Sequence, residues 1–309
     1  MSANIESLFY VREVPWHGLG TRVEEALSSE EAISKAELDW TVDPYPVYVK
    51  TNDSSQEIPN IYANIRSSDQ RVLGLVTSKY KIVNNKEAFS FTDSLLGENV
   101  KYETAGCLSS GKVWLLAKMP ESEIVGEKFE NYMVFSNSFD GKGSIRVAMT
   151  SVRVVCQNTL SLALSNARRA WSTKHMGSME GKLQEAHNTL QLATRYVQKM
   201  SEQAEKLAQE KVTDSYFEQF IMKLLPFDAN ESERQKRNVK ELREDLTLRY
   251  FEAPDLSTIR GTKWGILQAV SDFETHRTPQ RITDTYKEKL FDSFMSGNQM
   301  IDVAYELVA

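Results

Sequence analysis

Apolar and polar positions change period twice along the chain. Val100-Lys101-Tyr102-Glu103-Thr104 alternates as a half-buried strand does, and Val113-Trp114-Leu115-Leu116-Ala117 is a short β-branched, aromatic and apolar run that stops at Pro120. Ser109-Ser110-Gly111 between them predicts a hairpin turn over 100–119. Further strands are predicted at 40–50, 58–66, 72–76, 132–139 and 145–155, with turns at Ser67-Ser68-Asp69-Gln70 and Asp140-Gly141-Lys142-Gly143. Two helices interrupt this half. Ser28 caps one ahead of Glu30 and Glu31, and Asn84 opens another that ends at Gly97. Residues 1–27 read as irregular.

From Asn158 the spacing becomes helical. Leu160, Ala163, Leu164, Ala167 and Trp171 form one face, opposite Asn158, Ser161, Ser165, Arg168 and Ser172. Beyond Gly177, the positions Met179, Leu183, Ala186, Leu190, Ala193, Val197, Met200, Ala204 and Leu207 step by four and three without a miss. That is a heptad seam on a helix about 45 Å long, and its lengthwise partner is either another helix of this chain or a second copy. Helices are also expected at 213–225, 232–249 and 263–276, followed by two more divided at Ser296-Gly297-Asn298. The expected fold is α+β: an antiparallel-rich sheet with helices in residues 1–175, and an all-helical domain over 176–309 with one long heptad-patterned helix.

Composition narrows the function classes. The chain has 309 residues, 41% hydrophobic and 26% charged, an ordinary globular balance. No apolar run approaches the roughly 20 residues that span a bilayer, and the N-terminus lacks the order of a signal peptide, so a cytoplasmic location without a membrane partner is expected. Cys107 and Cys156 have no CxxC spacing, and His17, His175, His187 and His276 are scattered, so neither a metal nor a cofactor is expected. No nucleophile elbow or paired-carboxylate signature assigns catalytic roles, and the reading leans away from an enzyme. Gly106 to Lys112 does match Gly-x-x-x-x-Gly-Lys. Val113 stands where a phosphate loop needs a Ser or Thr for magnesium, and a strand follows instead of a helix.

Charge is the informative feature. The net charge is −6, yet Gly141 to Met179 carries six basic residues and no Asp or Glu, leaving the rest of the chain at −12. Lys142 at a hairpin tip, Arg146 and Arg153 on a strand, and Arg168, Arg169, Trp171 and Lys174 at a helix end are the expected nucleic-acid contacts: cations for phosphates and an aromatic for a base. Arg146 and Arg153 are seven apart, which puts them on opposite faces of a regular strand.

Five phrases in order carry a resemblance: Pro15-Trp16-His17-Gly18-Leu19-Gly20-Thr21, Tyr102-Glu103-Thr104-Ala105-Gly106, Val113 to Lys118, Arg153 to Leu160, and Gly261-Thr262-Lys263-Trp264-Gly265. Together they resemble the phage/plasmid-like family built on a domain of unknown function, domain of unknown function 932. That resemblance implies a phage or mobile-element origin and a bacterial host cytoplasm, and supplies no activity and no catalytic residues. A fainter likeness, in element order alone, is to Rad52-like single-strand annealing proteins. The expected function is non-enzymatic binding and annealing of single-stranded DNA in recombination or replication, by a homo-oligomer. The alternative is a protein-binding module directed at a host factor in takeover or counter-defence, which the acidic body and heptad helix also suit.

Overall fold

A computed structural model describes residues 5–11, 21–97, 100–153, 159–160, 170–227, 232–277 and 298–309. They form an α+β fold with mostly antiparallel sheets. The strands are β1 (Ile5–Val11), β2 (Thr21–Val23), β3 (Val42–Lys50), β4 (Ser55–Arg66), β5 (Val72–Thr77), β6 (Lys101–Leu108), β7 (Val113–Ile124), β8 (Glu127–Asn137), β9 (Ile145–Arg153), β10 (Thr159–Leu160) and β11 (Ala170–Thr173). One sheet runs β10-β9-β8-β7-β6-β1-β2 with β11 also on β9, and the other runs β3-β4-β5. Helices α1 (Ser29–Lys35) and α2 (Asn85–Leu96) lie among the strands. After β11 every described regular element is helical: α3 (Met179–Gln209), α4 (Asp214–Leu224), α5 (Glu233–Glu252), a 3-10 turn at Pro254–Leu256, α6 (Lys263–His276) and α7 (Gln299–Val308).

Local chemistry explains the helix starts. The Ser28 and Asn84 backbone N–H groups donate to the carboxylates of Glu31 (2.9 Å) and Glu87 (2.8 Å), completing capping boxes for α1 and α2. Thr213, Thr262 and Asn298 accept from the first-turn N–H groups of α4, α6 and α7 in the same way. The 106–113 stretch is a hairpin: β6 pairs with β7 from Cys107 opposite Val113 to Lys101 opposite Lys118.

Three sequence expectations are corrected. Residues 5–11 and 21–23 are strands rather than irregular chain, because Leu8, Phe9 and Tyr10 bury against the sheet and β1 pairs with β6. β7 continues through Pro120 to Ile124, and the turn Val125-Gly126 makes a hairpin with β8. Since β6 begins opposite Lys118, β7 beyond that point has β8 as its one strand neighbour among the described residues, an edge where proline is tolerated. Residues 159–160 and 170–173 are strands on β9 instead of parts of a helix. Trp171 lies opposite Val147 with its side chain inward between exposed Ala170 and Ser172, a period of two. The heptad seam packs within the chain at the positions described: Ala186 in one hydrophobic cluster, and Met200, Ala204 and Leu207 in another. Tyr196, which the seam omits, is buried with the latter group.

Two compact units interleave along the sequence. One takes the described residues of Met1–Met119, Tyr132–Met149 and Ala170–Gln191; the other takes those of Pro120–Asn131, Thr150–Arg169 and Leu192–Ala309. The division within α3 falls after Gln191, whereas the sequence pattern changes near residue 175. The first core holds Phe9, Trp40, Phe89, Tyr102, Phe135 and Phe139, and the second holds Ile124, Phe129, Phe217, Tyr250, Trp264 and Phe273. Of the two C-terminal helices expected, α7 is present and the first lies outside the described residues, as do Pro15–Gly20.

Candidate functional site

The loop from β8 to β9 is held from three sides. Asp140 Oδ1 accepts the backbone N–H groups of Lys142 and Gly143, each at 2.8 Å. The Asn64 side chain donates to the Phe139 carbonyl at 2.8 Å, and the Tyr80 hydroxyl donates to the Ser138 carbonyl at 2.7 Å. Glycines allow the loop to seat on β5: a Cβ on Gly74 would stand 2.5 Å from the Asp140 Cα, and one on Gly141 2.8 Å from the Leu75 carbonyl oxygen. Gly141 also has φ +78°, which favours glycine. Burial works against the Asp140 charge, yet the N–H bonds from Gly143 and Lys142 and the Lys142 charge hold its carboxyl below the usual range. The loop is thus tied to its surroundings by hydrogen bonds and close seating, with Lys142 exposed at its tip.

β11 brings a second segment beside it. Ser172 lies opposite Arg146 and Thr173 opposite Ile145, so the chain leaves β9's edge at Lys174-His175-Met176. Lys81 N–H donates to the His175 carbonyl at 2.8 Å, and His175 Nδ1 lies 2.9 Å from the Lys81 carbonyl, which fixes the proton on Nδ1. His175 is 2% exposed, its Nε2 is buried with no hydrogen-bond partner among the described residues, and burial lowers its pKa despite the Lys81 carbonyl. Lys182, in the first turn of α3, donates to the carbonyls of Lys174 and Met176 and clamps this segment.

Between loop and segment lies a pocket of about 420 Å³ within the first unit. Lys142 and Lys174, 32 residues apart, both line it, with Ser144, Thr77 and the Tyr80–His175 ring pair, and none of its lining residues is acidic. Arg146 lies next to it, its Nε donating to Ser144 Oγ at 3.2 Å.

The other expected contacts fall elsewhere. Trp171 is 6% exposed in the core, its ring 6.3 Å from that of Phe91, so it offers no open face to a base. Arg153 closes β9 in the second unit. Arg168 and Arg169 lie outside the described residues. Sequence reasoning missed Tyr80, Thr77 and His175. Only His175 carried a signal, its place inside the acid-free run beside Lys174.

The profile of a domain of unknown function (DUF932) matches residues 72–295, most of the chain. The chain belongs to the DUF932 family. No curated protein and no solved structure matches it. The DUF932 match takes in β5, the β8–β9 loop and the Lys174-His175-Met176 segment, and so includes every lining residue of the pocket. Among the described residues of this DUF932 chain, no group of three or more His, Cys, Asp or Glu is placed to hold a metal, and no helix is long and apolar enough to cross a membrane.

Proposed function

We propose that this DUF932 chain is a non-enzymatic binding protein for single-stranded DNA, encoded by a phage or mobile element and used in recombination or replication. One observation carries the reading. Lys142 and Lys174 converge on one pocket free of acidic lining, with Arg146 beside it, in a protein of net charge −6. Such a local positive site attracts the phosphate backbone while the acidic remainder limits non-specific adhesion. Arg168 and Arg169 belong to the same acid-free run and extend the basic segment in sequence.

Anisotropy of a labelled single-stranded oligonucleotide tests this. Binding tighter than to the duplex, weakening with salt, is expected, and Arg168→Ala with Arg169→Ala should flatten the salt slope by roughly one to two units. No binding at low salt overturns the proposal.

A second reading, docking on a host protein, has its own support in the β3–β4 arm. Tyr45, Tyr48 and Val49 are large side chains left exposed there, the kind of surface that protein partners cover. Substituting Tyr45 and Tyr48 with Ser while oligonucleotide binding persists separates the two readings.

A further inference from the structure

We infer that the pocket between the β8–β9 loop and the segment after β11 is a subsite for one nucleotide, its phosphate held by Lys142 and Lys174. This rests on the nucleic-acid reading above and names the ligand chemistry of the same site.

Three independent features point there. The first is charge: two lysines from distant parts of the chain line one pocket, and none of its described lining residues is acidic. The acid next to them, Asp140, has Oδ1 committed to the N–H groups of Lys142 and Gly143. The second is the apolar rim. Leu75 is 60% exposed and Met176 47%, both large apolar side chains left open to solvent, and both belong to this pocket. Beside them, Thr77 and Ser144 add hydroxyl groups. An apolar ledge next to paired cations fits an amphipathic anion, with a planar base against Leu75 and Met176 and the phosphate at the lysines. The third is preorganisation. The loop is fixed by Asp140 and by the close seating of Gly141 and Gly143, and the opposite wall by Lys182 and by two bonds between Lys81 and His175, one from the Lys81 N–H to the His175 carbonyl and one from the His175 ring to the Lys81 carbonyl. A wall ordered before binding loses little entropy on taking its ligand. The volume, about 420 Å³, lies within the roughly 300–1,000 Å³ typical of small-molecule sites and suits one nucleotide rather than an oligomer.

The phosphate belongs either to a strand or to a free nucleotide, and the experiment separates these. Binding of dAMP, of inorganic phosphate and of a labelled single-stranded oligonucleotide is measured for the parent, for Lys142→Ala with Lys174→Ala, and for Thr77→Trp, which fills the pocket and leaves the lysines. Near-UV circular dichroism checks that both variants fold. The inference expects saturable dAMP binding, stronger than that of phosphate, weakened about tenfold or more in both variants. If oligonucleotide binding also falls in Thr77→Trp and dAMP competes with it, the strand is the source. If dAMP binds as expected and the oligonucleotide does not, the subsite stands with a free nucleotide and the DNA reading falls. If the oligonucleotide binds parent and Thr77→Trp equally and dAMP binds neither, the subsite is overturned and the DNA reading stands on the surrounding cations. Absence of both ligands overturns both.

Discussion

The rings of Tyr80 and His175 stack with centroids 4.5 Å apart and planes 12° from parallel, joining the chain after β5 to the chain after β11. Their polar ends are tied to backbone on either side, the Tyr80 hydroxyl to Ser138 and His175 Nδ1 to Lys81. Both residues line the lysine pocket. Burial raises the Tyr80 pKa and lowers that of His175, so both rings are neutral near pH 7.

A pH dependence follows from His175. Its folded pKa lies below the ordinary 6.5, so the unfolded chain binds more protons as pH falls through that value. Stability present above about pH 6.5 is therefore lost progressively towards the folded pKa. Asp140, whose pKa is also lowered, acts only further down, below its ordinary 3.8. The melting temperature is expected to fall between pH 7.5 and 5.5, and His175→Gln should show a smaller fall. An equal fall in the variant would remove His175 as the cause.

The heptad seam is tested at Met200, fully buried in the second core. Met200→Ala removes several apolar groups and leaves a cavity, which should cost about 2–5 kcal/mol in chemical denaturation. Loss below about 0.5 kcal/mol would mean that α3 is not packed there.

The loop geometry is tested at Gly141. Alanine at φ +78° strains the backbone by roughly 1–2 kcal/mol, and its Cβ would meet the Leu75 carbonyl oxygen at 2.8 Å. Gly141→Ala should therefore lower stability and weaken oligonucleotide binding together, whereas Gly126→Ala, at φ +72° with nothing within 4 Å, should lower stability alone. Equal binding in the two variants would separate the loop's shape from ligand capture.

Much of the fold was legible because its signals are local. Ser28 with Glu31, Asn84 with Glu87 and Thr213 announce helix starts, and the Ser109-Ser110-Gly111 turn announces its hairpin. What misled was spacing that two structures share. Ala170-Trp171-Ser172-Thr173 satisfies a helical face through Trp171 and also alternates as a strand, and only pairing with β9 decides. Pro120 reads as a strand end until the position of β6 shows that β7 is an edge there. Of the site, the cations were visible as an acid-free run, and Lys142 and Lys174 both line one pocket. The pocket itself was hidden, since Thr77 and Tyr80 reach it through a separate three-stranded sheet and its following turn, at more than 60 residues' remove. Trp171, expected from the sequence to meet a base, lies in the core, for an aromatic residue among cations carries no mark of which way it faces.

The most direct measurement is the salt dependence of oligonucleotide affinity for the parent, for Lys142→Ala with Lys174→Ala, and for Lys236→Ala with Arg237→Ala on the charged helix α5. Each lost phosphate contact should flatten the slope of log affinity against log salt by about 0.7 for a single strand. The account expects a slope shallower by about 1.4 for the Lys142 and Lys174 pair, with weaker binding at every ionic strength, and no change for the α5 pair. Equal losses in both pairs, or none in the first, would contradict it.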